Sequence, residues 1–78
     1  MKSAYMIAQR FKEVDSAGPE EKLPLLYSIR ADIRKVEFAA AQDFSFPLTE
    51  IMSIKELIPK VMGRIGLIMA QRKIAKRA

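Results

Sequence analysis

Apolar residues recur at spacings of three and four in three successive segments of this chain, at about residues 3–14, 24–43 and 48–75. This spacing places apolar side chains along one face of an α-helix. No segment shows the period-two alternation that is typical of a β-strand. The pattern therefore predicts an all-α single domain, either a three-helix bundle or a helical hairpin with a short N-terminal helix.

Turn-forming residues at 15–19 and 43–47 separate the three predicted helices. A proline inside a helix lacks an N–H donor, so we place Pro24 in the first turn of the second helix, after a short lead-in turn from Pro19. We expect the third helix to run through Pro59 with a kink, because its apolar stripe keeps its phase there. The alternative is a short helix that ends near Leu57 and a longer one that begins near Pro59, which a capping-box pattern at residues 53–56 supports.

The second predicted helix is apolar on two sides. Its main stripe contains Leu26, Ile29, Ile33, Val36 and Ala40. A second face contains Tyr27, Ala31, Phe38 and Ala41, with Arg34 among them. Either both faces pack against the other helices, or one face remains for a second subunit or a partner protein.

Two methionines of the third predicted helix, Met62 and Met69, also favour a binding surface for a partner protein, since their flexible side chains adapt to different partners. The candidate protein-binding residues are Tyr27, Arg34, Phe38, Met62 and Met69.

Positive charge is concentrated at the C-terminal end. Residues 1–63 contain nine Lys or Arg and nine Asp or Glu, whereas residues 64–78 contain five basic residues and no acidic one. Cations near a helix C-terminus complement the helix dipole without any ligand. They also suit phosphate, an anionic surface or an acidic protein. The candidate nucleic-acid or anion-binding residues are Arg64, Arg72, Lys73, Lys76 and Arg77.

Arg72 and Lys76 continue the apolar stripe of the third helix, so we expect this end to extend past the hydrophobic body. The segment Gly63-Arg64-Ile65-Gly66 resembles the GXXG loop of KH domains, which implies a loop that clamps a nucleic-acid backbone. A KH domain also requires flanking strands, which the periodicity does not predict. We therefore favour a loosened helix, or a close approach of another helix at these glycines.

The chain offers little for catalysis. It contains no His and no Cys, which removes the commonest general base, thiolate nucleophile and transition-metal ligands. Its carboxylates are scattered, and Glu20, Glu21, Glu50 and Glu56 lie where helices begin and negative charge is favoured. We therefore predict a protein that is not an enzyme and has no cofactor or metal. Phe44 and Phe46 are expected to close the end of the bundle.

A chain of 78 residues buries only a small core, so self-association is expected to add stability. No apolar run is long enough for a membrane span, and no secretory signal is recognisable, so we expect a cytoplasmic protein without membrane attachment. The predicted function is a regulatory or adaptor protein that binds another protein through an apolar helix face, as a homodimer. The alternative is nonspecific nucleic-acid binding by the basic helix end.

Overall fold

The computed structural model describes residues 4–77, apart from the side chain of Arg77, and consists of three α-helices. Helix α1 (Ala4–Glu13) leads into a 3₁₀ turn (Val14–Ser16), and α2 (Pro19–Gln42) and α3 (Leu48–Arg77) follow. These residues contain no β-strand, so the prediction of an all-α fold is confirmed. The predicted start of the first helix at Ser3 lies outside the described residues.

Helices α2 and α3 form an antiparallel hairpin around the main core. Their connection is short, and Ala40 near the end of α2 lies beside Ile51 near the start of α3. The apolar stripes of both helices alternate by three and four, which suits side-by-side packing at a shallow angle. The buried residues of the hairpin belong to one cluster: Leu26, Ile29, Ile33, Val36, Ile54, Leu57, Val61 and Ile65.

Helix α1 covers one side of this hairpin. Its Ile7 is fully buried, and Val14 of the following turn joins the same core. The backbone N–H of Ala4 donates to Glu50 Oε2 of α3 at 2.7 Å. Arg10 pairs with Asp32 of α2. These contacts orient α1 parallel to α3 and antiparallel to α2.

Helix α2 begins at Pro19, five residues earlier than predicted. The assignment of Pro24 to the first turn is therefore wrong. Pro19 occupies the first helical turn, where a backbone N–H would have no acceptor within the helix, so the lack of an N–H costs no hydrogen bond. Glu20 and Glu21 complement the positive end of the helix dipole. Pro24 lies inside the helix, so it supplies no donor to the Glu20 carbonyl four residues earlier.

Helix α3 is a single helix through Pro59, Gly63 and Gly66, so the expectation of one helix instead of two is confirmed. The capping-box start at residues 53–56 is wrong, because the helix already begins at Leu48. A KH-type loop is also excluded at the two glycines. A Cβ atom added at either glycine would meet nothing within 4 Å, so the expected close approach of another helix is wrong too. The kink at Pro59 stays a prediction.

The connection between α2 and α3 is held by Asp43 and Ser45. The backbone N–H and the hydroxyl of Ser45 donate to Asp43 Oδ1 at 2.9 and 2.6 Å. The hydrogen bond from the Ser45 hydroxyl, and to a lesser extent the one from its backbone N–H, lowers the pKa of Asp43 below its ordinary value of 3.8. Phe46 packs against the core as expected, whereas Phe44 is fully exposed. The prediction that Phe44 closes the bundle is wrong, because the turn directs it into solvent.

Candidate protein-binding groove

An open groove runs between α2 and α3 on the side opposite α1. We define this open groove by the residues that line three adjoining hollows and the contact between Tyr27 and Met69. The α2 residues are Leu23, Tyr27, Arg30, Ile33, Arg34, Val36, Glu37 and Ala40, and the α3 residues are Ile51, Ile54, Lys55, Ile58, Val61, Met62, Met69, Ala70, Arg72, Lys73 and Lys76. The three hollows of the open groove have volumes of about 410, 230 and 20 Å³.

Helix geometry explains why these residues share one side. At 100° per residue, Leu23, Arg30, Arg34 and Glu37 lie on the flank of the α2 core stripe that faces away from Asp32. Asp32 faces α1 through its pairing with Arg10. Because α2 and α3 are antiparallel, the corresponding flank of α3 carries Met62 and Met69. The two flanks together form the open groove.

Tyr27 anchors the apolar part of the open groove. Its hydroxyl lies 3.8 Å from the sulfur of Met69, and the guanidinium of Arg30 lies 4.9 Å from the centre of its ring. A cation at this distance is attracted by the negative face of the ring. Tyr27, Met62 and Met69 are 38%, 45% and 52% exposed. These three apolar side chains are therefore partly exposed, and Tyr27 and Met69 contact each other across the two helices.

The structure brings together all the predicted protein-binding residues except Phe38. Arg34 and Met62 line the same hollow, and Tyr27 contacts Met69. Phe38 lies on the outer side of α2, is 68% exposed, and lines none of the three hollows. Phe38 lies about 20° from Tyr27 around the axis of α2, and Tyr27 joins the open groove through its contact with Met69 of α3.

Sequence reasoning missed Leu23, Arg30 and Glu37, which line the open groove. In the sequence, these residues form a strip of charged and apolar side chains beside the main apolar stripe of α2. The sequence alone does not show which flank of the α2 stripe is covered by α1. The exposed strip is therefore recognised only after α1 has been placed on the opposite flank. The pairing of Arg10 with Asp32 supplies this placement.

Basic side chains at the end of α3 extend the open groove. Arg72, Lys73 and Lys76 are exposed and line a hollow with Leu23 and Met69. Among the described side chains of α3, Ile65 is the last buried one, so this end extends beyond the buried core, as expected. Arg64, predicted as a nucleic-acid or anion-binding residue, lies elsewhere: its Nη1 pairs with Asp15 Oδ1 at 2.7 Å on the α1 side. The side chain of Arg77 lies outside the described part of the chain.

The two sides of the hairpin differ in charge. The open groove is lined by six basic side chains and one acidic one, namely Arg30, Arg34, Lys55, Arg72, Lys73, Lys76 and Glu37. On the α1 side, Arg10 and Arg64 are each paired with a carboxylate, and Glu50 receives the Ala4 N–H. The excess positive charge therefore belongs to the uncovered side.

Comparisons with protein-family models, curated proteins and solved structures return no match for this chain. Between residues 4 and 77, no helix combines the length and apolar character that crossing a membrane requires. The same part of the chain contains no group of three or more acidic side chains arranged to hold a metal ion.

Proposed function

We propose that this protein is a small, non-enzymatic regulatory or adaptor protein that binds another protein through the open groove. The observation that carries the proposal is the one-sided cover of the hairpin: α1 packs on one side, and the other side exposes Tyr27, Met62 and Met69. Aromatic and methionine side chains are favoured in protein interfaces, because they offer large contact areas and adapt to their partner.

The chemistry of the open groove supports binding over catalysis. Its charged side chains are arginines, lysines and Glu37, and its floor is apolar. Arginine and lysine heads form directional contacts with carboxylates, while the floor supplies area to bury. Complete burial of a half-exposed methionine contributes on the order of 1 kcal/mol, so several such contacts suit a reversible partner.

Site-specific photo-crosslinking tests this proposal in cells that express the protein. A p-benzoylphenylalanine in place of Met62 lies in the open groove, whereas the same group in place of Lys12 lies on the exposed surface of α1. We expect ultraviolet light to yield discrete protein adducts from position 62 and none from position 12. Adducts of equal yield from both positions, or none from position 62, would contradict the proposal.

Self-association stays a prediction, which rests on the small core of the chain. Sedimentation velocity over a hundredfold range of protein concentration measures it directly. A dimer predicts a sedimentation coefficient that rises with concentration toward the value for two chains. A constant value for one chain of 8.9 kDa contradicts homodimer formation and leaves binding to another protein intact.

Nonspecific nucleic-acid binding is the second candidate function. The observation that favours it is the exposed group of Arg72, Lys73 and Lys76, which lie together without an acidic neighbour in their hollow. Three phosphate contacts predict that the logarithm of the association constant falls with the logarithm of salt concentration with a slope of about −2 to −3.

A charge-matched pair of triple variants tests this second candidate. Replacing Arg72, Lys73 and Lys76 by glutamine removes three charges from the basic end. Replacing Lys12, Lys35 and Lys60 removes three charges from other exposed positions. If the candidate is right, only the first variant loses binding to a labelled single-stranded oligonucleotide. Equal losses, or no binding by the wild-type protein at low salt, would rule it out.

A further inference from the structure

We infer that the open groove binds an acidic amphipathic α-helix supplied by another protein. The inference rests on the proposed function and names the partner's chemical class. Three features lead to it: the shape of the open groove, the way α1 fills the opposite side, and the charge along the edges.

The shape fits a helix. The open groove follows two antiparallel helices from Leu23 to Ala40 along α2. At 1.5 Å per residue this stretch is about 26 Å long, which accommodates a helix of about 17 residues. Its walls are rows of side chains spaced by three and four residues, and such rows pack against the equivalent rows of another helix.

Helix α1 shows how the hairpin receives a helix. On the opposite side it inserts Ala4 and Ile7 into the common core, with Ala8 and Phe11 packed around them. These residues recur at spacings of three and four. The open groove is the second groove of the same hairpin, so a helix with a similar apolar stripe suits it.

The charge selects the class of helix. Arg30 and Arg34 line one hollow, and Arg72, Lys73 and Lys76 line another, whereas Glu37 is the single acidic side chain lining the open groove in the described chain. Carboxylates on both flanks of an incoming apolar stripe would lie beside these cations. Complementary charge of this kind raises the association rate and discriminates against basic partners.

The same charge argues against a second copy in the open groove. A symmetric dimer formed through this surface would place its basic edges against each other, because a two-fold interface uses the same patch twice. Insertion of α1 from another copy does not provide the missing acid either. Helix α1 carries Arg10 and Lys12 against Glu13 alone.

Nucleic acid is a poorer match for the whole open groove. Phosphates would contact the basic edges, but they would leave the floor around Tyr27, Ile58 and Met62 uncovered. The exposed aromatic side chain here is the single Tyr27, whose ring already lies against Arg30. Single-strand binders generally stack successive bases on several aromatic rings.

Fluorescence anisotropy with three labelled 18-residue peptides tests the inference. The first is a helix with leucines at spacings of three and four and glutamates on both flanks. The second replaces those glutamates by lysines, and the third keeps the composition of the first but scatters the leucines. We expect the glutamate peptide to bind at least about tenfold more tightly than either control, with an affinity that falls as salt rises.

Neighbouring residues on α2 provide a matched pair of variants. Arg34 lines the open groove and Lys35 does not, and both are exposed. Arg34→Glu should weaken binding of the glutamate peptide by about fivefold or more, whereas Lys35→Glu, with the same charge change, should alter it less than about twofold. Circular dichroism verifies that both variants are folded.

The outcomes separate this inference from the proposed function. Equal binding of the glutamate and lysine peptides, or equal effects of the two variants, would overturn the acidic partner. No binding of any peptide, or tighter binding of an 18-nucleotide single strand at the same site, would overturn it as well. In each case adducts from the photo-crosslinker at position 62 would still support protein binding through the open groove.

Discussion

Asp32 is buried between α1 and α2, where Arg10 pairs with it and also donates to Ser28 Oγ at 2.8 Å. A carboxylate taken out of water is costly unless a charged donor compensates it. The structure places Asp32 beside the core stripe of α2, and the sequence pattern does not identify its partner, since Arg10 belongs to a different helix. The ion pair joins α1 to the Asp32 side of α2.

Loss of Arg10 should destabilise the fold more than loss of a neighbouring cation. Arg10→Ala removes the guanidinium that pairs with the buried carboxylate of Asp32, and we expect a loss of about 1–3 kcal/mol in the free energy of unfolding. Lys12→Ala on the exposed side of α1 should change it by less than about 0.5 kcal/mol. Urea unfolding measures both values. Equal effects would mean that the ion pair does not secure α1.

Asp43 should respond to its neighbour Ser45. Since Ser45 lowers the pKa of Asp43 in the folded protein, this interaction stabilises the fold above the unfolded pKa and is lost as pH falls through the lower folded value. Ser45→Ala removes the hydroxyl bond, so the pKa of Asp43 should rise toward 3.8. NMR titrations of the Asp43 carboxyl carbon in the wild-type protein and the variant measure this change. An unchanged Asp43 pKa would contradict the described turn.

At the scale of the helices, the sequence predicts the number, order and approximate lengths of the elements. It fails at the start of α2, where Pro24 suggests the first turn but the helix already begins at Pro19. At α3 the predicted start at residue 48 is correct, and the capping-box pattern at 53–56 lies inside the helix. A longer helix keeps its apolar stripe on the core, and this tertiary gain outweighs an interior proline.

The glycines of α3 should be replaceable without loss of stability. Neither Gly63 nor Gly66 has a positive φ angle, and added Cβ atoms would meet open space. Gly63→Ala and Gly66→Ala should each stabilise the protein by about 0.5–1 kcal/mol, because alanine loses less backbone entropy in a helix. Gly18→Ala, at the N-cap of α2, should give no such gain. Thermal unfolding compares the three, and destabilisation by either helical alanine would contradict this assignment.

At the scale of the whole molecule, the protein is an elongated hairpin with one flank covered. It measures 52 × 20 × 15 Å, and its radius of gyration is 14.2 Å, against about 11.5 Å for a compact domain of this length. Its accessible surface of 5731 Å² also exceeds the roughly 4,800 Å² typical of this mass. The protein is therefore less compact than a typical domain of its length.

The sequence predicts two apolar faces on α2 but does not decide which flank of the hairpin remains open. That choice depends on contacts between distant residues, such as Arg10 with Asp32 and Asp15 with Arg64. The sequence predicts Tyr27 as a candidate from the second apolar face of α2, and Met62 and Met69 from their flexible side chains. Phe38 belongs to the same second apolar face as Tyr27, yet it lies outside the open groove. Periodicity shows which residues share a helix face, but it does not show which element packs against that face.

A bound helix should stabilise the folded protein, because it binds the folded state and not the unfolded chain. At a concentration one hundred times its dissociation constant, the glutamate-flanked peptide should add about 2.7 kcal/mol to the free energy of unfolding. Calorimetric unfolding with and without peptide measures this gain. The lysine-flanked peptide at the same concentration is the control, and an equal gain from it would argue against charge-selective binding.

The methionine methyl groups offer the most direct test of the open groove. Met62 and Met69 line it, whereas Met6 lies on α1 and Met52 does not line any of its hollows. In a protein with ¹³C-labelled methionine methyls, titration with the glutamate-flanked peptide should shift the Met62 and Met69 signals and leave those of Met6 and Met52 in place. Shifts confined to Met6 and Met52, or equal shifts of all four, would contradict binding in the open groove.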